Sequence, residues 1–166
     1  MQRAARILRH LLLPQWCASR AFPPSVLRRI EQAIAASEKR HAAELCFAIE
    51  GGLALPALLR GQTARQRALE VFSLLRVWDT ACNNGVLIYV QLADRQVDIL
   101  ADRGIAARVA QADWDALCRR FEQGCRQRRF AEGALDAIEE ATALLARHFP
   151  PGGEGADELP NRPLLL

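Results

Sequence analysis

Polar and charged side chains stand at both outer ends of one short segment, residues 83–105. Asn83 and Asn84 precede an apolar run, and Asp102 and Arg103 follow a second one. Carboxylate and amide oxygens are the ligands that Mg²⁺ and Ca²⁺ prefer, and a guanidinium can bind two phosphate oxygens at once. These residue types therefore suit metal-assisted phosphate chemistry, provided that the fold brings the two ends of the segment together.

The candidate site also includes Asp79, which we expect at the end of the preceding helix. The candidates fall into catalytic residues (Asp79, Asp102, Arg103), binding residues (Asn83, Asn84, Gly104) and metal ligands (Asp79, Asn83, Asn84, Asp102). In this hypothesis the aspartates share Mg²⁺ or Ca²⁺, an asparagine completes the coordination shell and the arginine binds a phosphate oxygen. A purely structural interpretation is also open, with an Asn-Gly turn, a loop cap and a simple Asp-Arg ion pair.

A β-hairpin is the element that would position these side chains. Val86–Leu92 is apolar apart from Gln91, which is typical of a strand covered on both faces. The following run, residues 96–101, alternates and is predicted to be half-covered and nearer an edge. A tight turn at Ala93–Gln96 would join the two strands. Antiparallel pairing would then place the asparagines beside Asp102 and Arg103.

The rest of the chain predicts an α/β fold, a small mixed β-sheet flanked by helices on both faces. Apolar residues stripe a helix through Leu27 and Ile34, and residues 44–50 alternate as a first strand. Thr63 and Gln66 have the spacing of a capping box for a crossover helix, which makes a parallel β-α-β unit. The hairpin adds an antiparallel strand, so the expected order is first strand, central strand, edge strand. Two closing helices follow, the first capped by Asp113.

The same residues carry a family resemblance. The run Asn83–Val90, the Asp94-Arg95 pair, Val97–Ile99 and the Gly-containing turn at Asp102–Gly104 resemble the TPM domain. The resemblance extends from about residue 25 to residue 149. It implies a strand at Glu44–Glu50, a helix at Ala68–Asp79 ending just before the asparagines, and closing helices at Trp114–Phe130 and Gly133–Phe149. Members of this family have been linked to phosphatase activity, to repair of membrane complexes and to receptor accessory roles.

The N-terminal region is basic and separate in character. We divide the chain into a basic arm (1–24), a TPM-like α/β domain (25–149) and a Pro/Gly-rich tail (150–166), whose last leucines could pack back. Residues 1–29 contain no acidic residue and six arginines, at positions 3, 6, 9, 20, 28 and 29. Arg3, Arg6 and Arg9 stand opposite a set of leucines, which predicts a short amphipathic helix that lies either on an anionic membrane or on the domain itself.

Composition excludes several classes of protein. At 166 residues and 51% hydrophobic, the chain is expected to form one globular domain. No run near the start has the roughly 20 apolar residues of a spanning helix, so we expect a cytoplasmic protein that could be peripheral to the membrane. Five cysteines without a Cys-x-x-Cys pair predict neither a disulfide framework nor a zinc site. The arginines of residues 119–129 lack interleaved aromatics, so nucleic acid is not an expected partner.

Two functional hypotheses follow. The first is an accessory or quality-control module that acts through the hairpin end or the basic arm on a protein complex, either in solution or associated with a membrane. The alternative is a metal-assisted phosphatase that hydrolyses a phosphomonoester, with an aspartate on the cation and Arg103 on the substrate.

Overall fold

The computed structural model describes residues 2–13, 16–152 and 158–166. These residues form eight helices and four strands. The helices are α1 (Gln2–Leu12), α2 (Trp16–Ala21), α3 (Pro24–Ser37), α4 (Leu55–Leu59), α5 (Ala64–Leu74), α6 (Arg103–Ala106), α7 (Gln111–Arg126) and α8 (Phe130–His148). The strands are β1 (Glu44–Glu50), β2 (Gly85–Gln91), β3 (Gln96–Ala101) and β4 (Leu164–Leu165).

The sheet has the order β3-β2-β1-β4. β1 and β2 are parallel, with Glu44 opposite Gly85, and β2 and β3 form the antiparallel hairpin. The predicted mixed sheet and the order of its first three strands are therefore confirmed. The C-terminal leucines do pack back, since β4 pairs in parallel with β1 and makes β1 an internal strand.

Helices cover both faces of the sheet, as predicted. One face carries the larger core, in which Phe47 and Ile88 meet Trp114 and Phe121 of α7 together with residues of α3 and α8. The other face carries a smaller core, where Leu87 and Tyr89 pack against α5. Because β2 is buried along its whole length, its apolar run reflects two covered faces.

Three predictions about local structure are wrong. β3 is not half-covered, because α5 lies on its second face and buries Asp98 and Leu100. The crossover helix ends at Leu74 and not at Asp79, although its Thr63-Gln66 capping box is confirmed. Asp113 is not a cap but lies in the first turn of α7, which begins at Gln111.

The arm folds as the predicted helix, but with an unexpected orientation. Arg6 and His10 of α1 lie against Asp94 in the hairpin turn, whereas the leucines of α1 are exposed. α2 packs conventionally, since Ala18 and the adjoining Phe22 belong to the larger core. No helix among the described residues has the length and apolar character needed to cross a bilayer.

Candidate functional site

The hairpin brings the two polar ends of residues 83–105 to one end of the sheet. The N–H of Asp102 donates to the carbonyl of Gly85 at 2.8 Å, directly beyond the last strand pair, Val86 with Ala101. Asn84 is fixed beside β1, because its carbonyl accepts the N–H of Glu44 and its Nδ2 donates to the carbonyl of Ala42. Asn84 and Asp102 thus lie on adjacent strand ends.

Asn83 links the two ends a second time. Arg103 Nε donates to Asn83 Oδ1 at 2.8 Å, and the N–H of Gly104 donates to the Asn83 carbonyl at 3.1 Å. Asn83 has a φ of 52°, a left-handed conformation that asparagine tolerates better than most residues. The expected Asp102-Arg103 ion pair is replaced by this arginine-asparagine bond, which holds the guanidinium beside the asparagine loop.

Asp102 begins a short helix that the sequence did not predict. It is the N-cap of α6, and its Oδ1 accepts the N–H of Arg103 at 2.7 Å. Its other oxygen, Oδ2, is buried and has no hydrogen-bond partner among the described residues, and the same is true of Asn84 Oδ1. Buried acceptors without a donor are rare in folded proteins, because desolvation of each costs about 1–3 kcal/mol. The sheet end therefore presents two oxygen acceptors that no donor in the described part of the chain compensates.

The carboxylate of Asp79 contacts an arginine of its own loop. Because α5 ends at Leu74, Asp79 lies in the loop that follows, where its half-exposed carboxylate is 3.6 Å from Arg76 Nη1. The helix-end position predicted for Asp79 is thus wrong, and its carboxylate has a cation beside it already. Of the predicted site residues, the fold gathers Asn83, Asn84, Asp102, Arg103 and Gly104.

The donor set fits a hard cation only in part. Among the residues that the structure describes, no three His, Cys, Asp or Glu side chains are grouped so as to hold a metal ion. The sheet end offers one carboxylate, Asp102, and the amide oxygen of Asn84. Such a set resembles a partial shell of carboxylate and amide ligands, which Ca²⁺ accepts more readily than Mg²⁺ because its coordination is more flexible.

A serine-histidine contact is present among the described residues, and its chemistry is not that of a nucleophile and base. His41 Nε2 lies 2.8 Å from Ser37 Oγ, but Nδ1 accepts the N–H of Ala43 at 3.2 Å. The ring proton is therefore on Nε2 and is donated to the serine, so the imidazole has no lone pair there to accept a proton. Burial lowers the pKa of His41 to about 4, and Ser37 also bonds Thr142. The cluster ties α3 to α8.

Sequence reasoning missed the contribution of the tail to this end of the sheet. Glu44, the first residue of β1, is buried, and its Oε2 accepts the N–H groups of Glu158 and Leu159 at 3.3 Å. Leu159 also enters the smaller core. No local pattern reveals a contact between residues so distant along the chain. The sequence shows only a glutamate at the start of a predicted strand, and that does not identify its partners.

The opposite end of the sheet holds a second polar group. Asp94, in the turn of residues 92–95, accepts bidentate bonds from Arg6 at 2.7–3.1 Å and lies 3.0 Å from His10 Nε2. His10 Nδ1 accepts the N–H of Leu53 at 2.9 Å, which leaves the ring proton on Nε2 beside the carboxylate. Burial alone would raise the pKa of Asp94, but the His10 and Arg6 contacts outweigh it and hold the pKa well below its usual value.

Comparison with protein families and solved structures places these features in context. The family model described as the TPM domain matches residues 19–144. The NMR structure of BA42 protein from the psychrophilic bacterium Bizionia argentinensis is 31% identical, with a TM-score of 0.73, and the alignment covers 84% of this chain and 92% of that one. Among curated proteins no match was found.

Two further solved structures share the fold at lower identity. The N-terminal domain of a protein from P. gingivalis is 15% identical with a TM-score of 0.62, covering 85% of this chain and 95% of that one. The N-terminal domain of cg2496 protein from Corynebacterium glutamicum is 14% identical with a TM-score of 0.55, covering 80% and 77% respectively. At these identities the likeness concerns the fold alone.

Proposed function

This chain belongs to the TPM domain family, and from that premise we propose that it is an accessory module of a protein complex whose polar sheet end binds a divalent cation. The observation that carries the proposal is the pair of buried acceptors, Asn84 Oδ1 and Asp102 Oδ2, which have no donor among the described residues. A cation supplies the positive charge that these oxygens lack. Carboxylate and amide oxygens are ligands of both ions, and Ca²⁺ tolerates the less regular arrangement of them.

The accessory role is favoured over catalysis by what surrounds these oxygens. Asp79, the second carboxylate of the predicted metal pair, has its charge partly balanced by Arg76 at 3.6 Å. The serine-histidine contact has the wrong tautomer to activate a nucleophile. A bound cation would instead order the loop of Asn83 and Asn84 against α6, which makes a surface whose shape depends on the ion.

The cation site is tested by amide chemical shifts during titration with Ca²⁺ and Mg²⁺. We expect shifts at residues 83–85 and 102–104 in the unmodified protein. Asp102→Asn should abolish them, because asparagine keeps the N-cap of α6 but removes the charge. Asp79→Asn is the matched control, since it removes an exposed carboxylate from the neighbouring loop. Absence of ion-dependent shifts, or unchanged shifts in Asp102→Asn, would overturn the cation site.

The accessory role is tested separately in cells that express the tagged chain. We expect the chain to migrate with a large assembly on native gels when Ca²⁺ is present, and Asp102→Asn to release it. Asp79→Asn should stay with the assembly. A chain that migrates alone under all conditions, while still binding the ion, would contradict the accessory role but not the ion site.

A metal-assisted phosphatase remains a second candidate, and one contact favours it. Arg103 is exposed and its guanidinium is held next to Asn83, close to Asp102 in the chain. In this alternative the cation polarises a phosphate ester and the arginine binds a phosphate oxygen. Hydrolysis of p-nitrophenyl phosphate that requires the ion and is lost in both Asp102→Asn and Arg103→Gln would support it. Ion binding without turnover would support the accessory role.

A further inference from the structure

α1 is an amphipathic helix whose apolar face points to solvent and whose polar face contacts the domain. At 100° per residue, Ala4, Ala5, Leu8, Leu11 and Leu12 fall within one arc of about 120°, as expected of the buried face of a surface helix. In this protein that arc points outwards, with Leu8, Leu11 and Leu12 exposed by 57%, 55% and 69%.

The polar side of α1 is the side that packs on the domain. Arg6 and His10 lie against Asp94, and Arg3 Nη2 donates to the carbonyl of Leu59 in α4. The carbonyl of His10 lies so close to Gly52 that a Cβ there would be 2.8 Å away, so the helix is seated tightly. These contacts fix the orientation, and the exposed apolar arc is a consequence of it.

A basic cleft adjoins this arc. A cavity of about 510 Å³ between α1 and α4 is lined by Arg3, Arg6, Arg60, Ile7, Leu58 and Gly61. Of the three arginines in the lining, Arg6 is paired with Asp94 and Arg3 donates to the carbonyl of Leu59, and Arg60 is the C-cap of α4. α4 also exposes Leu55 and Leu59.

We propose that α1 and α4 form a docking surface for an anionic lipid bilayer, with the leucines of α1 at the boundary of headgroups and acyl chains and the basic cleft holding a lipid phosphate. Interfacial helices combine a leucine face with arginines in this way, and their binding grows with apolar area and with the negative charge of the lipid. Arg9 is adjacent to the arc, and its half-exposed guanidinium, 3.4 Å from Asp94 Oδ1, lies at the surface where headgroups would sit.

Charge complementarity selects the bilayer over a second copy of the chain. The surface carries Arg3, Arg6, Arg9 and Arg60 against the carboxylate of Asp94, so two such faces would bring like charges together. The surface lies at the hairpin-turn end of the sheet, away from Asn84 and Asp102. The proposal therefore goes beyond the cation-dependent function and fails or succeeds independently of it.

The first test is flotation of the full chain with vesicles. We expect it to float with vesicles of phosphatidylcholine and phosphatidylglycerol in roughly equal parts, weakly or not at all with phosphatidylcholine alone, and less as salt rises. Leu8→Ser with Leu12→Ser should weaken binding to the anionic vesicles at least about tenfold, since each leucine loses its apolar transfer. Both side chains are exposed, so the fold should persist. Leu69→Ser with Leu74→Ser, two exposed leucines of α5, is the matched control and should bind normally.

The second test locates the surface in the membrane. Tryptophan fluorescence of Leu12→Trp should shift to the blue on addition of anionic vesicles and be quenched by brominated acyl chains, whereas Leu74→Trp should do neither. Arg60→Gln should weaken binding and reduce its dependence on salt. No flotation of the unmodified chain, equal flotation of the α1 variant, or a dimer that depends on Leu12 without lipid binding would each overturn the proposal.

Discussion

At the scale of single residues, the end of the sheet that holds Asn84 and Asp102 differs from the rest of β1 and β2 in how its buried oxygen acceptors are hydrogen-bonded. Glu50, on the neighbouring strand, accepts bonds from Arg67 and Tyr89 and is fully compensated. Asn84 and Asp102 are not, since each uses one polar atom to hold the backbone and leaves the other without a donor. The same side chains that build the loop are thus the ones that present acceptors, which is why the cation proposal rests on them.

Gly104 makes this arrangement possible. A Cβ at this position would lie 2.5 Å from the carbonyl oxygen of Asn83. We predict that Gly104→Ala pushes α6 away from the asparagine loop and lowers the free energy of unfolding by about 1–3 kcal/mol, the usual cost of overpacking. Chemical denaturation measures the cost, and Ca²⁺ titration should show weaker shifts at Asn84. Gly124→Ala, where the added Cβ meets its nearest neighbour at an ordinary 3.5 Å, tests a glycine away from the site. Unchanged stability and ion response in Gly104→Ala would contradict this account.

His41 makes stability depend on pH. Burial lowers its pKa to about 4 in the folded protein, below the usual value of 6.5, so protons bind the unfolded chain more readily. Stability should therefore fall as the pH decreases from about 6.5 towards 4, by up to about 3 kcal/mol, and this contribution should level off below the folded pKa. Denaturation curves between these pH values, compared with those of His41→Gln, isolate the effect. An equally steep pH dependence in the variant would show that other groups cause it.

At the scale of elements, the two N-terminal helices contribute in different ways. α1 is held by polar contacts to Asp94 and by Ile7, whereas α2 leads into Phe22, which is fully buried. The Phe22 ring lies 6.4 Å from that of Phe47 and 5.9 Å from that of Phe130, measured between centroids. α2 is thus continuous with the larger core, and α1 is an appendage to it.

Two truncations distinguish these contributions. Removal of residues 1–13 should leave a folded domain, with a small loss of stability from the Asp94 contacts. Removal of residues 1–22 should cost about 3–5 kcal/mol more, because the Phe22 ring leaves a cavity in the core. Circular dichroism and thermal melting measure both. A shorter truncation that unfolds the chain would show that α1 is required for folding.

At the scale of the whole molecule, the sheet separates two polar ends. Asn84 and Asp102 lie where β2 begins and β3 ends, and Asp94 lies in the turn that joins them. With about 3.3 Å per residue, strands of this length place the two ends roughly 20 Å apart. The central strand, buried on both faces, is the rigid spacer between the proposed ion site and the proposed membrane surface.

This separation predicts that the two ends are energetically independent. Asp94→Asn should cost about 1–3 kcal/mol, since it weakens charge-assisted bonds to Arg6 and His10. The double variant with Asp102→Asn should show the sum of the single effects within about 0.5 kcal/mol. Chemical denaturation of the four proteins completes the cycle. A coupling above about 1 kcal/mol would indicate that the sheet transmits strain between its ends.

Elements that depend on signals within one short segment could be predicted from the sequence. The capping box at Thr63 and Gln66, the unbroken apolar run of β2 and the hairpin that unites residues 83–84 with 102–104 follow from spacing and turn chemistry, and all are present. The mixed sheet and its strand order could also be predicted, because strand pairing limits the possible topologies. The family was predicted from the resemblance carried by the same hairpin.

Features that depend on contacts between distant segments could be seen only in the folded protein. Coverage of the second face of β3 by α5 and the contact of Glu44 with the tail arise between segments far apart in sequence. The direction of α1 is the clearest case. Its amphipathic pattern predicts a helix with one polar and one apolar face, but not which face contacts the domain. Arg6 and His10 contact Asp94 in the folded protein, and this contact leaves the leucines exposed.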